Sequence, residues 1–104
     1  MNDDNNIDTL NWSDWLDFNK DTIDNIPEDE GVYKMHASMK ILHIGSSYNL
    51  KQSLLESLSN SCISNKPTRF SYATTQSSEK IKEFLLNEYR NKHNGKLPIC
   101  MESS

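Results

Sequence analysis

The clearest hydrophobic pattern lies in the middle of the chain. Residues 31–36 and 40–45 are rich in valine, tyrosine, isoleucine and leucine, which predicts two β-strands. The short stretch HASM that joins them predicts an antiparallel hairpin. Four leucines then recur on one face of a helix that we expect from about Tyr48 to Asn60, because residues three and four apart share a helix face.

The following part of the chain predicts one more strand and one more helix. In 69–74, RFSYAT, two aromatic residues alternate with other residues, as is typical of a strand with one buried face. Apolar residues at helical spacing predict a last helix that begins at Ser77 or Ser78 and reaches about Lys92. A serine can cap this helix, and Glu79 lies in its first turn, where acidic residues are favourable.

The N-terminal part carries a second helical pattern. Two tryptophans and two aliphatic residues recur at helical spacing there, so we expect an acidic helix over residues 11–26 that ends before Pro27. Residues 1–10 lack such a period and predict a flexible acidic tail. The order α-β-β-α-β-α predicts one small α+β domain over residues 11–104, with a three-stranded, mainly antiparallel sheet flanked by helices.

Charge is distributed unevenly along this chain. The net charge is −4, yet residues 1–30 carry −9 and residues 31–104 carry +5. An acidic leader is therefore joined to a basic body, and a basic surface favours binding to the phosphates of DNA or RNA. The acidic leader has two interpretations, a contribution to solubility and a contact surface for a protein partner.

The sequence also bears on location. No apolar run approaches the roughly 18 residues that a membrane-spanning helix needs. The N-terminus MNDDNNIDTL lacks the basic and apolar regions of a signal peptide, so we expect a cytoplasmic protein that binds no membrane. Cys62 and Cys100 have neither metal-ligand spacing nor a disulfide-rich pattern, and we expect free thiols in a reducing compartment.

Six short motifs follow one another along the basic body. They are G-V-Y at 31–33, H-I-G at 43–45, S-Y-N-L-K at 47–51, R-F-x-Y at 69–72, E-F-L-L-x-E-Y at 83–89 and G-K-L-P-I-C at 95–100. In this order and with these gaps, they resemble the GIY-YIG nuclease domain of excision-repair, junction-cleaving, homing and restriction nucleases. The chain is also similar to a stand-alone, archaeal-type branch that begins with a tryptophan-bearing helix.

The resemblance implies a specific chemistry. Members of this family cleave phosphodiesters with one divalent metal ion. A tyrosine on the second strand helps to activate water, an arginine on the next helix steadies the phosphate, and a glutamate on the later helix holds the metal. This division fits what hydrolysis requires, namely a proton acceptor, positive charge over the phosphorane and a hard carboxylate ligand for Mg²⁺.

The match is partial at the functional positions. Tyr33 takes the position of the first tyrosine, His43 replaces the second, and Glu83 takes the position of the metal-binding glutamate. Ser53 stands where the arginine is expected, and Met101 stands at the final asparagine of the pattern. The resemblance therefore implies a degenerate active site in which Tyr33, His43 and Glu83 are catalytic and Glu83 binds Mg²⁺ if the protein is active.

Each of these residues also has an ordinary structural interpretation. A tyrosine or histidine on a strand is commonly a packed ring, and a glutamate next to an apolar stripe is commonly a solvated helix residue. For His43 the functional interpretation has a chemical basis. A neutral imidazole accepts a proton more readily at neutral pH than a phenol does.

Other cations are candidates to replace the missing arginine at a phosphate. These candidates are Lys51, Arg69, Lys80, Lys82 and Arg90. Of them we expect Lys51, Arg69 and Lys80 near nucleic acid, together with the hydroxyl of Ser53. A lysine is a partial substitute, because it lacks the planar, bidentate fork of arginine. The ordinary interpretation of all these cations is a solvated surface charge.

Three functions are compatible with this sequence. The first is a degenerate GIY-YIG-type domain that binds nucleic acid and has weak or lost metal-dependent hydrolysis. The second is an active, Mg²⁺-dependent endonuclease that uses His43 in place of tyrosine. The third is a protein-interaction or inhibitor module that uses the acidic N-terminal helix. Loss of the phosphate-facing arginine favours the first, because such a group stabilises the transition state.

Overall fold

A computed structural model describes residues 10–38, 40–64 and 68–101. They form a small α+β domain with one four-stranded antiparallel sheet and four α-helices. The elements are β1 (Leu16–Asp17), α1 (Lys20–Ile23), β2 (Gly31–Ala37), β3 (Lys40–Ser47), α2 (Leu50–Ser57), α3 (Ser61–Ser64), β4 (Arg69–Thr74), α4 (Ser78–Lys92) and a 3-10 helix (Ile99–Met101).

The centre of the sheet is the predicted hairpin. Strands lie in the order β1-β4-β2-β3, and β2 pairs with both β3 and β4. Tyr33 is opposite Gly45 and Met35 is opposite His43, with an irregularity in the ladder after Met35. The antiparallel hairpin, α2, β4 and α4 are confirmed, and β4 has the predicted bounds.

Alternation along the strands gives the sheet two buried faces. Tyr33, Met35 and Phe70 belong to one core cluster, which the short helices and α2 cover, and we call this the α2 face. Val32 and Ile44 belong to the other cluster, together with the apolar residues of α4, and we call this the α4 face. Because successive strand residues point to opposite sides, the two rows of residues cannot share a core.

The prediction of a helix over residues 11–26 is wrong, and so is the count of three strands. Residues 10–15 form no helix, the backbone N–H of Ser13 donates to the carbonyl of Tyr72 at 2.8 Å, and β1 pairs Leu16 with Phe70 and Asp17 with Arg69. Only four residues of the segment, those of α1, form a helix, with Asn19 as its cap. The physical reason is the free edge of β4, whose backbone groups need partners that an extended segment provides.

Residues 1–9, most of the predicted acidic tail, lie outside the described residues. Leu10 is half-buried and packs against the α4-face cluster. No described helix combines the length and the apolar character needed to cross a bilayer.

The prediction of free thiols is also wrong. Cys62 and Cys100 form a disulfide, with their Cα atoms 5.8 Å apart. They are separated by 38 positions in sequence, but the fold places α3 next to the C-terminal 3-10 helix. Spacing along the chain could not reveal this pairing, because it depends on the tertiary structure.

Candidate functional site

Two rings predicted to be catalytic lie together on the α2 face. The rings of Tyr33 and His43 are stacked, with centroids 5.8 Å apart and planes at 15°. They lie on neighbouring strands of the hairpin. Tyr33 is opposite Gly45, and His43 precedes Gly45 by two residues on β3. Tyr33 is buried and His43 is half-buried. The antiparallel pairing therefore brings the two motif residues into one site.

The glycine of the second motif has a packing role beside this ring pair. A β-carbon placed on Gly45 would lie 2.5 Å from Cζ and from Oη of Tyr33, which is far inside contact distance. The ring of Tyr33 thus lies directly over the Cα of Gly45, and only glycine leaves room for it. The position of Tyr33 therefore explains why the H-I-G motif has a glycine at its third position.

A double-mutant cycle tests this coupling. Gly45→Ala should cost about 1–3 kcal/mol of stability, the usual range for an overpacked core, and the cost should fall sharply when Tyr33→Ala has removed the ring. Gly31→Ala is the control, because its added carbon would meet the backbone of Ala73 and the side chain of Leu50. Urea denaturation measures all variants, and an equal Gly45→Ala cost in both backgrounds would contradict the packing role.

The hydroxyl of Tyr33 is held in its protonated form. Burial raises the pKa of Tyr33 above its usual value, the charge of Glu56 adds to the shift, and a hydrogen bond with Ser57 opposes it in part. At neutral pH the phenol is therefore a hydrogen-bond donor and not a base. Of the two rings, only the imidazole of His43 can accept a proton at neutral pH.

His43 is in its neutral form at pH 7. Burial lowers the pKa of this imidazole, and the positive charge of Lys82 lowers it further. Its Nδ1 atom is buried and has no hydrogen-bond partner among the described residues. A neutral ring with a free nitrogen can accept a proton or a hydrogen bond from a ligand.

The lowered pKa of His43 predicts a loss of stability in acid. The folded state resists protonation of this ring while the unfolded state takes up a proton near pH 6.5. Stability should therefore be complete above about pH 6.5 and decrease below it, by up to about 1.4 kcal/mol per pH unit, until the folded state is protonated too. The variant His43→Gln should lose this slope. Urea denaturation at several pH values between about 7.5 and 5.5 tests it, and parallel curves for the two proteins would show that His43 does not contribute.

Ser53, at the position expected for arginine, also lies on the α2 face. Its hydroxyl is 2.6 Å from the hydroxyl of Ser47 at the end of β3, and Asn49 bonds the same Ser47 oxygen through its backbone N–H, at 2.9 Å. These contacts join the start of α2 to the strand. Lys51, in the first turn of α2, is half-buried and is the nearest cation along that helix.

Glu83 does not lie on the face of the two rings, and this part of the expected site is corrected. Its helix, α4, packs on the opposite face of the sheet, and its carboxylate is exposed and 4.0 Å from the ammonium of Lys82. Lys82 is the residue of α4 whose charge reaches His43. Local sequence could not reveal which face the helix would cover.

Two other predicted contacts are distant from the ring pair. Arg69 begins β4, is opposite His36, and forms an ion pair of 3.6 Å with Asp17. Lys80 is exposed on α4. The structure therefore brings together Tyr33 and His43. It places Ser53 against Ser47 at the end of β3, and it places Arg69, Lys80 and Glu83 elsewhere.

Met101, at the position of the pattern's asparagine, lies beside the edge strand. Its sulfur is 3.5 Å from the backbone nitrogen of Ile44, which donates to it. Within the described residues, histidine, cysteine, aspartate and glutamate side chains form no group of three or more that could hold a metal ion. The Mg²⁺ role of Glu83 stays a prediction.

The structure also contains a cavity that the sequence did not indicate. It has a volume of about 810 Å³ and lies on the α4 face, between the hairpin, the end of α4 and the segment after it. Four lysines line it, and they come from three separate parts of the chain, so no run of basic residues reveals them: Lys34, Lys40, Lys92 and Lys96.

Comparison with known protein families identifies a relationship over most of the chain. The family described as a domain of unknown function (DUF7508) matches residues 10–92. The chain belongs to the DUF7508 family. The matched region of this DUF7508 domain runs from Leu10, the first described residue, to Lys92, the last residue of α4. No curated protein and no solved structure matches it.

Proposed function

We propose that this DUF7508 domain is a degenerate GIY-YIG-type domain that binds DNA or RNA and has weak or lost metal-dependent hydrolysis. The observation that carries the proposal is the stacked pair of Tyr33 and His43. Two residues from two separate motifs of the family pattern lie in contact range on adjacent strands, on the face of the sheet that α2 covers. Their arrangement supports a common ancestry of the site.

Two lysines on the helices that cover the sheet support binding to phosphate, and the charge of one of them, Lys82, reaches His43. Lys51 lies on α2 and Lys82 lies on α4. These two helices pack on opposite faces of the sheet, and β3 is an edge strand of that sheet. A phosphate chain that crosses this edge would meet both lysines. Lys82 is partly neutralised by Glu79 at 3.3 Å, so a phosphate would compete with that carboxylate.

The same geometry opposes efficient hydrolysis. Ser53 supplies no positive charge at the arginine position, and its hydroxyl is bonded to Ser47. Removing a donor or cation that stabilises the transition state typically costs about 3–4 kcal/mol of activation free energy, or 10²–10³ in rate. Glu83 lies on the opposite face, next to Lys82, which further weakens the case for a metal held beside the two rings.

An active endonuclease is the second candidate. The observation that favours it is the buried, unpartnered Nδ1 of His43 together with the lowered pKa of this ring. An unprotonated ring nitrogen without a hydrogen-bond partner can take up a proton, as a general base must, and the lowered pKa makes it a weaker base than a free imidazole. In that case His43 would take the proton of the attacking water and Tyr33 would orient the phosphate.

Nucleic-acid binding is tested by fluorescence anisotropy with labelled DNA and RNA at several salt concentrations. The variant Lys51→Gln/Lys82→Gln should bind about tenfold more weakly than the wild type, with a salt slope smaller by about 2, because two phosphate contacts are lost. The control is Lys20→Gln, whose lysine is exposed and paired with Asp24 at 3.0 Å. Equal affinity of the double variant and the control would contradict the proposed surface.

A further inference from the structure

The cavity on the α4 face has an excess of positive charge. Four lysines and one glutamate, Glu88, line it. In the part of the chain that the structure describes, no carboxylate forms an ion pair with Lys40, Lys92 or Lys96. Converging lysines without carboxylate partners raise the local concentration of anions and favour their binding.

Lys34 gives the cavity a cation that is partly removed from water. Its ammonium lies 4.3 Å from the centroid of the Trp12 ring. Burial lowers the pKa of Lys34, and the charge of Glu88 compensates for this in part. Burial has removed part of the water around this ammonium. An anion bound in the cavity would compensate for that loss by pairing with the charge, because a buried charge is stable only when it is paired.

The remaining walls are apolar and aromatic. Ile44, Leu85 and Leu97 contribute aliphatic surface. Tyr89 is stacked on His93, with ring centroids 3.8 Å apart and planes at 7°, so a flat aromatic surface borders the same space. Such a wall suits the planar and weakly polar part of a ligand.

We propose that this cavity is a binding site for a nucleotide that carries a terminal phosphate. The lysines would hold the phosphate, the apolar and aromatic wall would cover the base, and Glu88 would accept a hydrogen bond from a hydroxyl or amino group. The volume of about 810 Å³ lies within the usual range for small-molecule sites, about 300–1,000 Å³. A simple fatty acid fits less well, because it has one charge and no donor for Glu88.

This site is distinct from the proposed nucleic-acid surface, because neither Lys51 nor Lys82 lines the cavity. Two sources share the required chemistry, a free nucleotide and the phosphorylated 5′ end of a nucleic-acid strand. The first would make the cavity a small-molecule site, and the second would make it a reader of strand ends.

Isothermal titration calorimetry with the full chain distinguishes these possibilities. AMP should bind at least about tenfold more tightly than adenosine, because a charge-assisted contact is lost without the phosphate. If strand ends are the source, a 5′-phosphorylated oligonucleotide should bind about tenfold more tightly than the same strand without the phosphate, and if free nucleotides are the source, the two strands should bind equally.

Variants localise the binding. Lys92→Gln/Lys96→Gln should weaken AMP binding about tenfold or more, whereas Lys20→Gln, outside the cavity, should leave it unchanged. Failure of AMP to bind the wild type, equal affinities for AMP and adenosine, or equal losses in the cavity and control variants would overturn the proposal. The wild-type ligand series decides the question even if a variant does not fold. Nucleic-acid binding through Lys51 and Lys82 is measured separately, so either proposal can fail alone.

Discussion

Replacement of Phe70 by alanine should lower the free energy of unfolding by about 3–5 kcal/mol, the range for loss of a buried aromatic ring. Phe70 is fully buried, on a strand that pairs with β1 on one side and with β2 on the other. Its ring meets that of Phe18 edge-on, with centroids 6.2 Å apart. The substitution would leave a cavity where the N-terminal segment joins the sheet. Urea denaturation monitored by circular dichroism measures the loss.

The matched control is Phe84→Ala. This phenylalanine lies on α4 with 43% of its surface exposed, so its loss should cost less than about 1 kcal/mol. The two substitutions remove the same atoms from different environments. Equal losses in stability for Phe70→Ala and Phe84→Ala would show that β4 is not buried between two strands as described.

Removal of the disulfide should have the second large effect. Cys62→Ser/Cys100→Ser should lower the free energy of unfolding by about 3–4 kcal/mol, as expected for a closed loop of this length. The bond ties the C-terminal 3-10 helix to α3, so the loss should be accompanied by opening of the segment after α4. Thermal and chemical denaturation with and without a reductant measure it.

The reduced wild type provides the control for this result. It should match the double variant in stability, and the variant should be insensitive to the reductant. A wild type that is unaffected by reduction would contradict a stabilising disulfide. Because disulfides persist mainly in oxidising compartments, the thiol state of Cys62 in the cell also tests the prediction of a cytoplasmic location.

The elements that the sequence predicted correctly are those with a strong local pattern. The hairpin of 31–37 and 40–47 follows from β-rich runs with a short connection, and α4 follows from a long apolar stripe. The strand β1 has no such pattern. It has two residues, and it forms because the edge of β4 offers backbone partners, which is a property of the assembled sheet.

The candidate site was predictable to the same extent. The resemblance to the GIY-YIG pattern implies a joint role for Tyr33 and His43, and the antiparallel pairing of the hairpin brings the two residues close in space. The position of Glu83 was not predictable, since the face that a helix covers depends on how the whole chain packs. The lysines of the cavity were not recognised because they meet only after the C-terminal segment folds back toward β3.

The most direct test of the proposed function measures binding and cleavage in the same samples, with end-labelled DNA and RNA and with Mg²⁺ titrated from zero in the presence of a chelator. We predict that binding persists without Mg²⁺ and that added Mg²⁺ yields little or no more product than it does with the variant Tyr33→Phe/His43→Gln. The contradicting result is efficient, multiple-turnover cleavage by the wild type that depends on Mg²⁺ and that this variant loses, which would identify an active endonuclease. Absence of binding to both DNA and RNA at low salt would contradict the account as well.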